Sequence, residues 1–136
     1  MCAQSQRLAR RILLANSDQQ VQQTVALVAA KYGHLVVRAA TGAEALSLAA
    51  STNPDLVVLD TVLPDATGRD VLVRLKADAR TARLPVVLWS GGREEGEAER
   101  GLALELGADD YVGMINVQLL LRRLERVLRR FSASAP

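Results

Sequence analysis

Short runs of apolar residues alternate along the chain with longer segments in which apolar residues recur at helical spacing. The short runs are 11–15 (RILLA), 34–39 (HLVVRA), 55–60 (DLVVLD), 84–90 (LPVVLWS) and 110–114 (DYVGM). Each run is too short for a helix and most are rich in Val, Ile and Leu, which is typical of strands buried on both faces of a parallel sheet. The pattern therefore predicts five strands.

The segments between these runs predict five helices. Their approximate ranges are 18–32, 41 to just before Pro54, 68–78, 94–106 and 117–131. Thr41 is placed to cap the second helix, and Gly33 is placed to end the first. Gly96 and Gly101 fall inside the fourth range, where each costs about 1 kcal/mol relative to Ala. We therefore expect the fourth helix to be the weakest.

Five strands that alternate with five helices require right-handed crossovers and a sheet covered on both faces. The predicted fold class is therefore α/β, a doubly wound five-stranded parallel sheet. Such sheets place their functional residues at the carboxyl ends of the strands, near the point where the strand order reverses. The residues that end or directly follow the predicted strands at this edge are Asn16, Ser17, Asp60, Ser90 and Met114.

Length and composition narrow the class of protein. The chain has 136 residues, 49% hydrophobic and 24% charged, which suits one domain with a single core. Its only cysteine, Cys2, excludes a disulfide framework. No segment approaches a signal peptide or the ~18 apolar residues of a membrane span, so we expect a cytoplasmic protein. We expect residues 1–9 to be a flexible tail, 10–131 the folded domain, and 132–136 a tail or the start of a linker.

Charge is unevenly distributed although the net charge is only +2. The last predicted helix carries Arg122, Arg123, Arg126, Arg129 and Arg130, and the fourth carries Glu94, Glu95, Glu97 and Glu99. Five arginines would suffice for phosphate contacts, but no interleaved aromatic residue or glycine-rich loop accompanies them. We therefore interpret the arginines as a solvated face and do not expect nucleic-acid binding.

Two further residues carry no assigned chemistry at this point. Trp89, the only tryptophan, is interpreted as a core residue on the fourth strand. His34 opens the second strand, and the sequence implies no partner for it.

Three motifs, in order and correctly spaced, resemble the receiver domain of bacterial two-component response regulators. They are PDLVVLDTVLPDATG (54–68), LPVVLWSGG (84–92) and GADDY (107–111). In the first, a strand ends in Asp60, and Pro64 and Gly68 follow at intervals of four residues. The resemblance covers about residues 10–130 and implies a flavodoxin-like strand order of 2-1-3-4-5. It also implies a signalling module of two-component or phosphorelay pathways that is not itself an enzyme.

The resemblance implies roles for individual residues. Asp60 matches the Asp that accepts a phosphoryl group from a histidine kinase, and Ser90 matches the residue that hydrogen-bonds the phosphoryl oxygens. Tyr111 matches an aromatic residue that acts as a switch. Each has a simpler alternative: Asp60 and Ser90 as residues that bond nearby backbone, and Tyr111 as a partly buried surface aromatic.

The remaining site positions depart from the family pattern. Asn16 and Ser17 stand where a pair of acids binds Mg²⁺, and Met114 stands where a Lys pairs with the phosphoryl group. Attack by Asp60 on a phosphoryl donor needs positive charge to offset repulsion, and the metal and the Lys supply it. Asp18 could bind Mg²⁺ together with Asp60, but its position at a helix start favours an N-cap.

These departures favour a receiver domain with a degenerate phosphoacceptor site that acts as a protein-interaction module. We expect no required cofactor, weak binding of Mg²⁺, and weak or absent Mg²⁺-dependent phosphorylation. Within the family, the alternative is a functional receiver phosphorylated on Asp60 by a histidine kinase. A small doubly wound flavin- or nucleotide-binding protein is an alternative of another class, and the glycine-free segment NSDQQ (16–20) disfavours it.

The partners implied by the resemblance are proteins. They are a histidine kinase, a phosphotransfer protein or an output domain. A second copy of the chain is a further candidate, through the fourth helix, the fifth strand and the fifth helix, because an acidic helix there lies beside a basic one.

Overall fold

The computed structural model describes residues 10–90, 96–113 and 115–133. The predicted tail 1–9 and residues 134–136 lie outside the described residues. The elements are β1 (Arg11–Ala15), α1 (Gln19–Lys31), β2 (Leu35–Ala39), α2 (Gly42–Ser51), β3 (Leu56–Asp60), α3 (Gly68–Ala77), β4 (Val86–Trp89), α4 (Glu97–Glu105), β5 (Asp110–Val112) and α5 (Val117–Ala133). The predicted alternation of five strands and five helices is confirmed.

The five strands form one parallel sheet in the order β2-β1-β3-β4-β5. This is the order that the resemblance implied. Because β1 pairs with β2 on one side and β3 on the other, the strand order reverses between β1 and β3. Ala15 is paired with Leu59, so the carboxyl ends of these two strands lie side by side.

The two faces of the sheet carry separate hydrophobic clusters. One cluster joins the sheet to α2, α3 and α4 through Ala45, Leu72 and Ala103. The other joins the opposite face to α1 and α5 through Val25 and Leu124. Trp89 belongs to this second cluster, as predicted for a core residue, and its side chain is almost entirely buried.

Several helix boundaries are set by local capping. Asp18, Thr41 and Thr67 each accept backbone N–H groups at the start of α1, α2 and α3. After α1, Gly33 has a φ of +84°, in the left-handed region that glycine adopts without strain. The caps predicted at Thr41 and Gly33 are confirmed.

The fourth helix is shorter than predicted. It runs over Glu97–Glu105 instead of 94–106, and residues 94 and 95 lie outside the described residues. Gly96 is the N-cap of α4, in extended backbone, so it does not carry the cost of a glycine inside a helix. Only Gly101 carries that cost. At the other end of the chain, α5 continues to Ala133, two residues beyond its predicted end.

His34 has partners that the sequence did not reveal. Its side chain is fully buried, and Nε2 lies 3.0 Å from Oε2 of Glu125 on α5. Nδ1 accepts the backbone N–H of Arg10 at 3.2 Å, which leaves Nε2 to donate to Glu125. His34 therefore ties the start of β1 to α5 at the amino-terminal edge of the sheet.

In the ranges that the structure describes, no helix is long and apolar enough to span a membrane.

Candidate functional site

The predicted site residues meet at the carboxyl edge of the sheet. Asp60 is the last residue of β3 and is paired with Trp89 of β4, after which Ser90 follows directly. Asn16 follows Ala15 at the end of the neighbouring strand β1. The fold thus brings Asn16, Asp60 and Ser90 to one edge, whereas Met114 lies outside the described residues.

Asn16 is buried and held by the backbone around it. Its N–H donates to the carbonyl of Ala39 at 2.9 Å, and its Oδ1 accepts the N–H of Asp18 at 2.8 Å. Gln22 on α1 donates from Nε2 to the carbonyls of both Asn16 and Ala39. Sequence reasoning missed Gln22; a polar residue on the buried face of α1 was the available signal. The amide oxygen of Asn16 is therefore committed to shaping the β1–α1 turn.

Asp18 caps α1. Its Oδ1 accepts the N–H groups of Gln20 at 2.9 Å and Val21 at 3.3 Å. The predicted N-cap is confirmed, and the carboxylate offsets the partial positive charge of the helix start. Ser17, between Asn16 and Asp18, is exposed.

Asp60 is half-buried at the end of β3. Its Oδ1 accepts the N–H of Val62 at 3.2 Å, the type of local bond expected of a strand-end Asp. A carboxylate in this position is chemically able to act as a nucleophile or as an oxygen ligand of a hard cation.

Gly68 fixes the return of the chain behind Asp60. Its N–H donates to the carbonyl of Thr61 at 3.0 Å. A Cβ atom at Gly68 would lie 2.4 Å from the carbonyl oxygen of Asp60 and 3.1 Å from Cα of Thr61. The glycine in the first motif is therefore required by a close backbone approach beneath the candidate acceptor.

Asp65 joins the loop after Asp60 to the start of α2. Its carboxylate accepts the N–H of Gly42 at 2.7 Å and that of Ala43 at 3.0 Å, at the start of α2. The hydrogen bond from Gly42, followed by that from Ala43, holds the pKa of Asp65 below its ordinary 3.8. Sequence reasoning missed this contact, because nothing in the loop sequence specifies which distant helix end it faces.

Ser90 and Tyr111 are both buried. Ser90 donates its backbone N–H to the carbonyl of Val112 at 2.8 Å. Tyr111 is only 6% exposed, so it is a core residue and not the surface aromatic considered above. It lines a cavity of about 300 Å³ together with Thr61 and Ala103. Its role as a switch remains a prediction.

An ion cluster centred on the buried carboxylate of Asp110 lies on the β5 side of the fold. Arg123 of α5 donates to both oxygens of Asp110 at 2.8 Å, and Arg100 of α4 donates to Oδ1 of Asp110 at 3.2 Å. Burial by itself raises the pKa of Asp110, but the hydrogen bond and charge of Arg123, with smaller contributions from Tyr111 N–H and Arg100, bring it below 3.8. The assignment of every arginine of α5 to a solvated face was wrong for Arg123, because the fold places Asp110 opposite it.

The described residues offer few ligands for a metal ion. They contain no group of three or more His, Cys, Asp or Glu side chains arranged to hold one. Asp60 supplies one carboxylate, while Oδ1 of Asn16 and the carboxylate of Asp18 already accept backbone N–H groups. The end of β1 adds no pair of acids to these possible ligands, because Asn16 and Ser17 are neutral.

Comparison with known proteins places this geometry in a family. A sequence model of the response regulator receiver domain matches residues 12–116. The transcriptional regulatory protein AfsQ1 of Streptomyces coelicolor is 36% identical over 120 residues, which cover 88% of this chain and 51% of the relative. The phosphate regulon transcriptional regulatory protein PhoB of Escherichia coli is 33% identical over 129 residues, covering 94% and 56%. The chain spans about half the length of the curated relatives it matches.

Solved structures agree in fold. The BeF3-activated N-terminal receiver domain of RstA from Klebsiella pneumoniae has a TM-score of 0.78 and 30% identity, covering 88% of this chain and 98% of that one. The receiver domain of the sensor histidine kinase PA1611 from Pseudomonas aeruginosa has a TM-score of 0.75 and 23% identity, covering 88% and 97%, and holds a magnesium ion in its active site cleft. Since the family match spans all five strands and the strand order agrees with it, this chain belongs to the response regulator receiver domain family of two-component signalling.

Proposed function

We propose that this receiver domain acts as a protein-interaction module whose phosphoacceptor site is degenerate, so that Mg²⁺-dependent phosphorylation of Asp60 is slow or absent. The observation that carries the proposal is the pair Asn16 and Ser17 at the end of β1, beside Asp60. These neutral residues occupy the positions at which the family pattern has a pair of acids.

The electrostatics of the edge support this proposal. Mg²⁺ keeps a near-octahedral shell of oxygen ligands and loses water reluctantly, so one carboxylate alone makes a poor site. The other nearby oxygens, on Asn16 and Asp18, accept backbone N–H groups that a metal would have to displace. Without a bound cation, a dianionic phosphoryl donor meets the carboxylate of Asp60 with little charge compensation.

Met114 removes a second source of positive charge from the family site. It stands at the position of the family Lys and has neither a positive charge nor a hydrogen-bond donor. Loss of one donor to a developing oxyanion costs about 3 kcal/mol in enzymes. The metal side and the lysine side of the site are thus both weakened in this chain.

The absence of an acid pair also removes like-charge repulsion around Asp60. In a cluster of carboxylates that holds no metal, each negative charge raises the free energy of the others. With neutral Asn16 and Ser17, the site has less need of a cation to remain folded. This suits a domain that keeps one conformation and is recognised through its surface.

Restoration of the acids tests the proposal. We expect the variant N16D/S17D to bind Mg²⁺ at least about tenfold more tightly than wild type, which corresponds to ~1.4 kcal/mol. The measurement is Trp89 fluorescence during titration with Mg²⁺ and then with beryllofluoride, because Trp89 is the only tryptophan and is paired with Asp60.

Two controls make this experiment specific. Gln19→Asp adds a negative charge at the exposed first residue of α1, outside the two positions of the family acid pair, and should leave Mg²⁺ affinity near wild type. Asp60→Asn should abolish the response of the restored variant. If wild type itself shows a saturable response at millimolar Mg²⁺ that Asp60→Asn removes, the degenerate-site proposal fails. The alternative then takes its place: a functional receiver in which Asp60 accepts the phosphoryl group and Ser90 hydrogen-bonds its oxygens.

The proposed partners are proteins: a histidine kinase, a phosphotransfer protein, an output domain, or a second copy through α4, β5 and α5. Exposed arginines on α5, such as Arg122 and Arg126, and exposed acids on α4, such as Glu97 and Glu105, support pairing of two copies by opposite charge. These opposite charges support a protein partner. They add no support for nucleic-acid binding by α5 or for the flavin- or nucleotide-binding alternative.

The salt dependence of dimerisation tests the proposed homodimer. We expect sedimentation velocity to show a dimer that weakens as the salt concentration rises, because exposed charge pairs are screened. The charge reversal Arg126→Glu should weaken the dimer, whereas Lys31→Glu, on α1, should not. A monomer at every salt and protein concentration would remove the homodimer from the proposal.

A further inference from the structure

We propose that the groove between α1 and the start of α5 binds a small, flat, uncharged molecule that accepts a hydrogen bond from Nε1 of Trp89. The groove lies beside the candidate acceptor site, on its α1 side. The proposal does not depend on whether Asp60 is phosphorylated.

The groove has the size and lining of a small-molecule site. Its volume is about 650 Å³, within the range of about 300–1,000 Å³ that is usual for ligand pockets. Val21 and Val28 of α1 form one wall, and Ile115 and Val117 form the other. These residues also pack against the hydrophobic cluster that contains Trp89.

Trp89 provides the polar feature that points to a ligand. Within the ranges that the structure describes, its Nε1 is the only buried side-chain nitrogen or oxygen without a hydrogen-bond partner. A buried donor left unpaired destabilises the folded state. Other buried polar side chains nearby are paired, since Gln22 donates to two carbonyls. A bound acceptor would remove this destabilisation.

The charges around the groove define the class of ligand. The described lining residues include one carboxylate, that of Asp18, and no Lys or Arg. A phosphate or carboxylate group therefore finds no cation there, which argues against nucleotides and other anions. The apolar walls and the indole favour an aromatic or heterocyclic compound with a carbonyl or a ring nitrogen as acceptor.

Binding to the indole nitrogen requires side chains to move. Nε1 of Trp89 is covered in this conformation. The groove is bordered by Gln20 and Gln118, two exposed side chains with several rotatable bonds. A ligand can hydrogen-bond Nε1 only if side chains around the indole move, since the atom is covered here.

A matched pair of probes tests the assignment on the full chain. Isoquinoline carries a ring nitrogen acceptor, and naphthalene has the same shape without one. In a ¹⁵N-labelled sample the only tryptophan gives a single indole N–H cross-peak, so no assignment is needed. We expect isoquinoline to move this cross-peak downfield and to bind about tenfold more tightly than naphthalene.

Variants on α1 and β4 separate binding in the groove from other effects. Thr24 lines the groove and is exposed, so Thr24→Tyr should block the shift without altering the core. Gln23→Tyr adds the same ring at the next exposed position, outside the lining, and should leave binding intact. Trp89→Phe, followed by ligand-detected NMR, should bind both probes equally.

Three results would overturn the proposal. They are an indole cross-peak that neither probe moves at its solubility limit in water, equal affinity for both probes in wild type, and a shift that persists in Thr24→Tyr. In the first of these cases, a cross-peak that moves when a histidine-kinase phosphotransfer domain is added would identify the groove as a protein-docking surface instead.

Discussion

Gly68→Ala should lower the free energy of unfolding by about 1–3 kcal/mol, the usual cost of overpacking a filled site. The new Cβ would lie 2.4 Å from the carbonyl oxygen of Asp60, which is backbone and cannot rotate away. Either the start of α3 or the end of β3 must move. Urea unfolding measures the stability change, and the backbone NMR shifts of Asp60 and Thr61 report which segment moves.

Gly101→Ala is the matched control for this prediction. Gly101 lies inside α4, and a Cβ there would meet no described atom within 4 Å other than its chain neighbours and the backbone of its own helix. The same substitution should therefore stabilise the protein by about 0.4–1 kcal/mol, because Ala lowers the entropy of the unfolded chain. If both variants were equally stable, close approach at Gly68 could not be the reason for its glycine.

Asp110→Asn should cost about 2–3 kcal/mol, less than the 3–5 kcal/mol typical of a broken buried ion pair because both arginines reach solvent in part. The carboxylate of Asp110 is 7% exposed and accepts from Arg123, Arg100 and the N–H of Tyr111. An amide in its place removes the negative charge and turns an N–H group toward a guanidinium. Thermal and urea unfolding measure the loss.

The effect of Asp110→Asn should also depend on pH. Because the folded state lowers the pKa of Asp110, its contribution is complete above the unfolded value near 3.8 and is lost as the pH falls through the lower folded value. The stability difference between wild type and variant should therefore shrink in strong acid. Asp78→Asn, which breaks the exposed pair with Arg80, is the control and should change stability much less. A difference that stays constant to the lowest pH would contradict the ion cluster.

Most of the fold could be predicted from the chain because its signals are local. Apolar runs of four to six residues identified β1 to β4, and the cap at Thr41 and the stop at Gly33 depend on residues within one turn of the helix end. The predicted bounds of the fourth helix were less accurate. Gly96 is compatible both with a helix interior and with an N-cap, and the choice depends on the backbone entering α4.

The candidate site was only partly predictable. Asp60, Ser90 and Asn16 were identified because each ends or directly follows a strand, and parallel strands end at a common edge. Gln22 and Asp65 were missed because their partners, such as the carbonyl of Ala39 and the N–H of Gly42, are distant in sequence. A side chain's own position in a helix or loop does not reveal a partner of this kind.

By itself, the sequence determined the α/β class, the strand-end positions of the site and the neutral residues Asn16 and Ser17 beside Asp60. These features depend on residue type and local periodicity. Only the tertiary structure decided that Arg123 pairs with the buried carboxylate of Asp110 and that the indole nitrogen of Trp89 has no hydrogen-bond partner among the described residues. Burial and pairing depend on which distant segments pack together, and charge or hydropathy along the chain does not specify that packing.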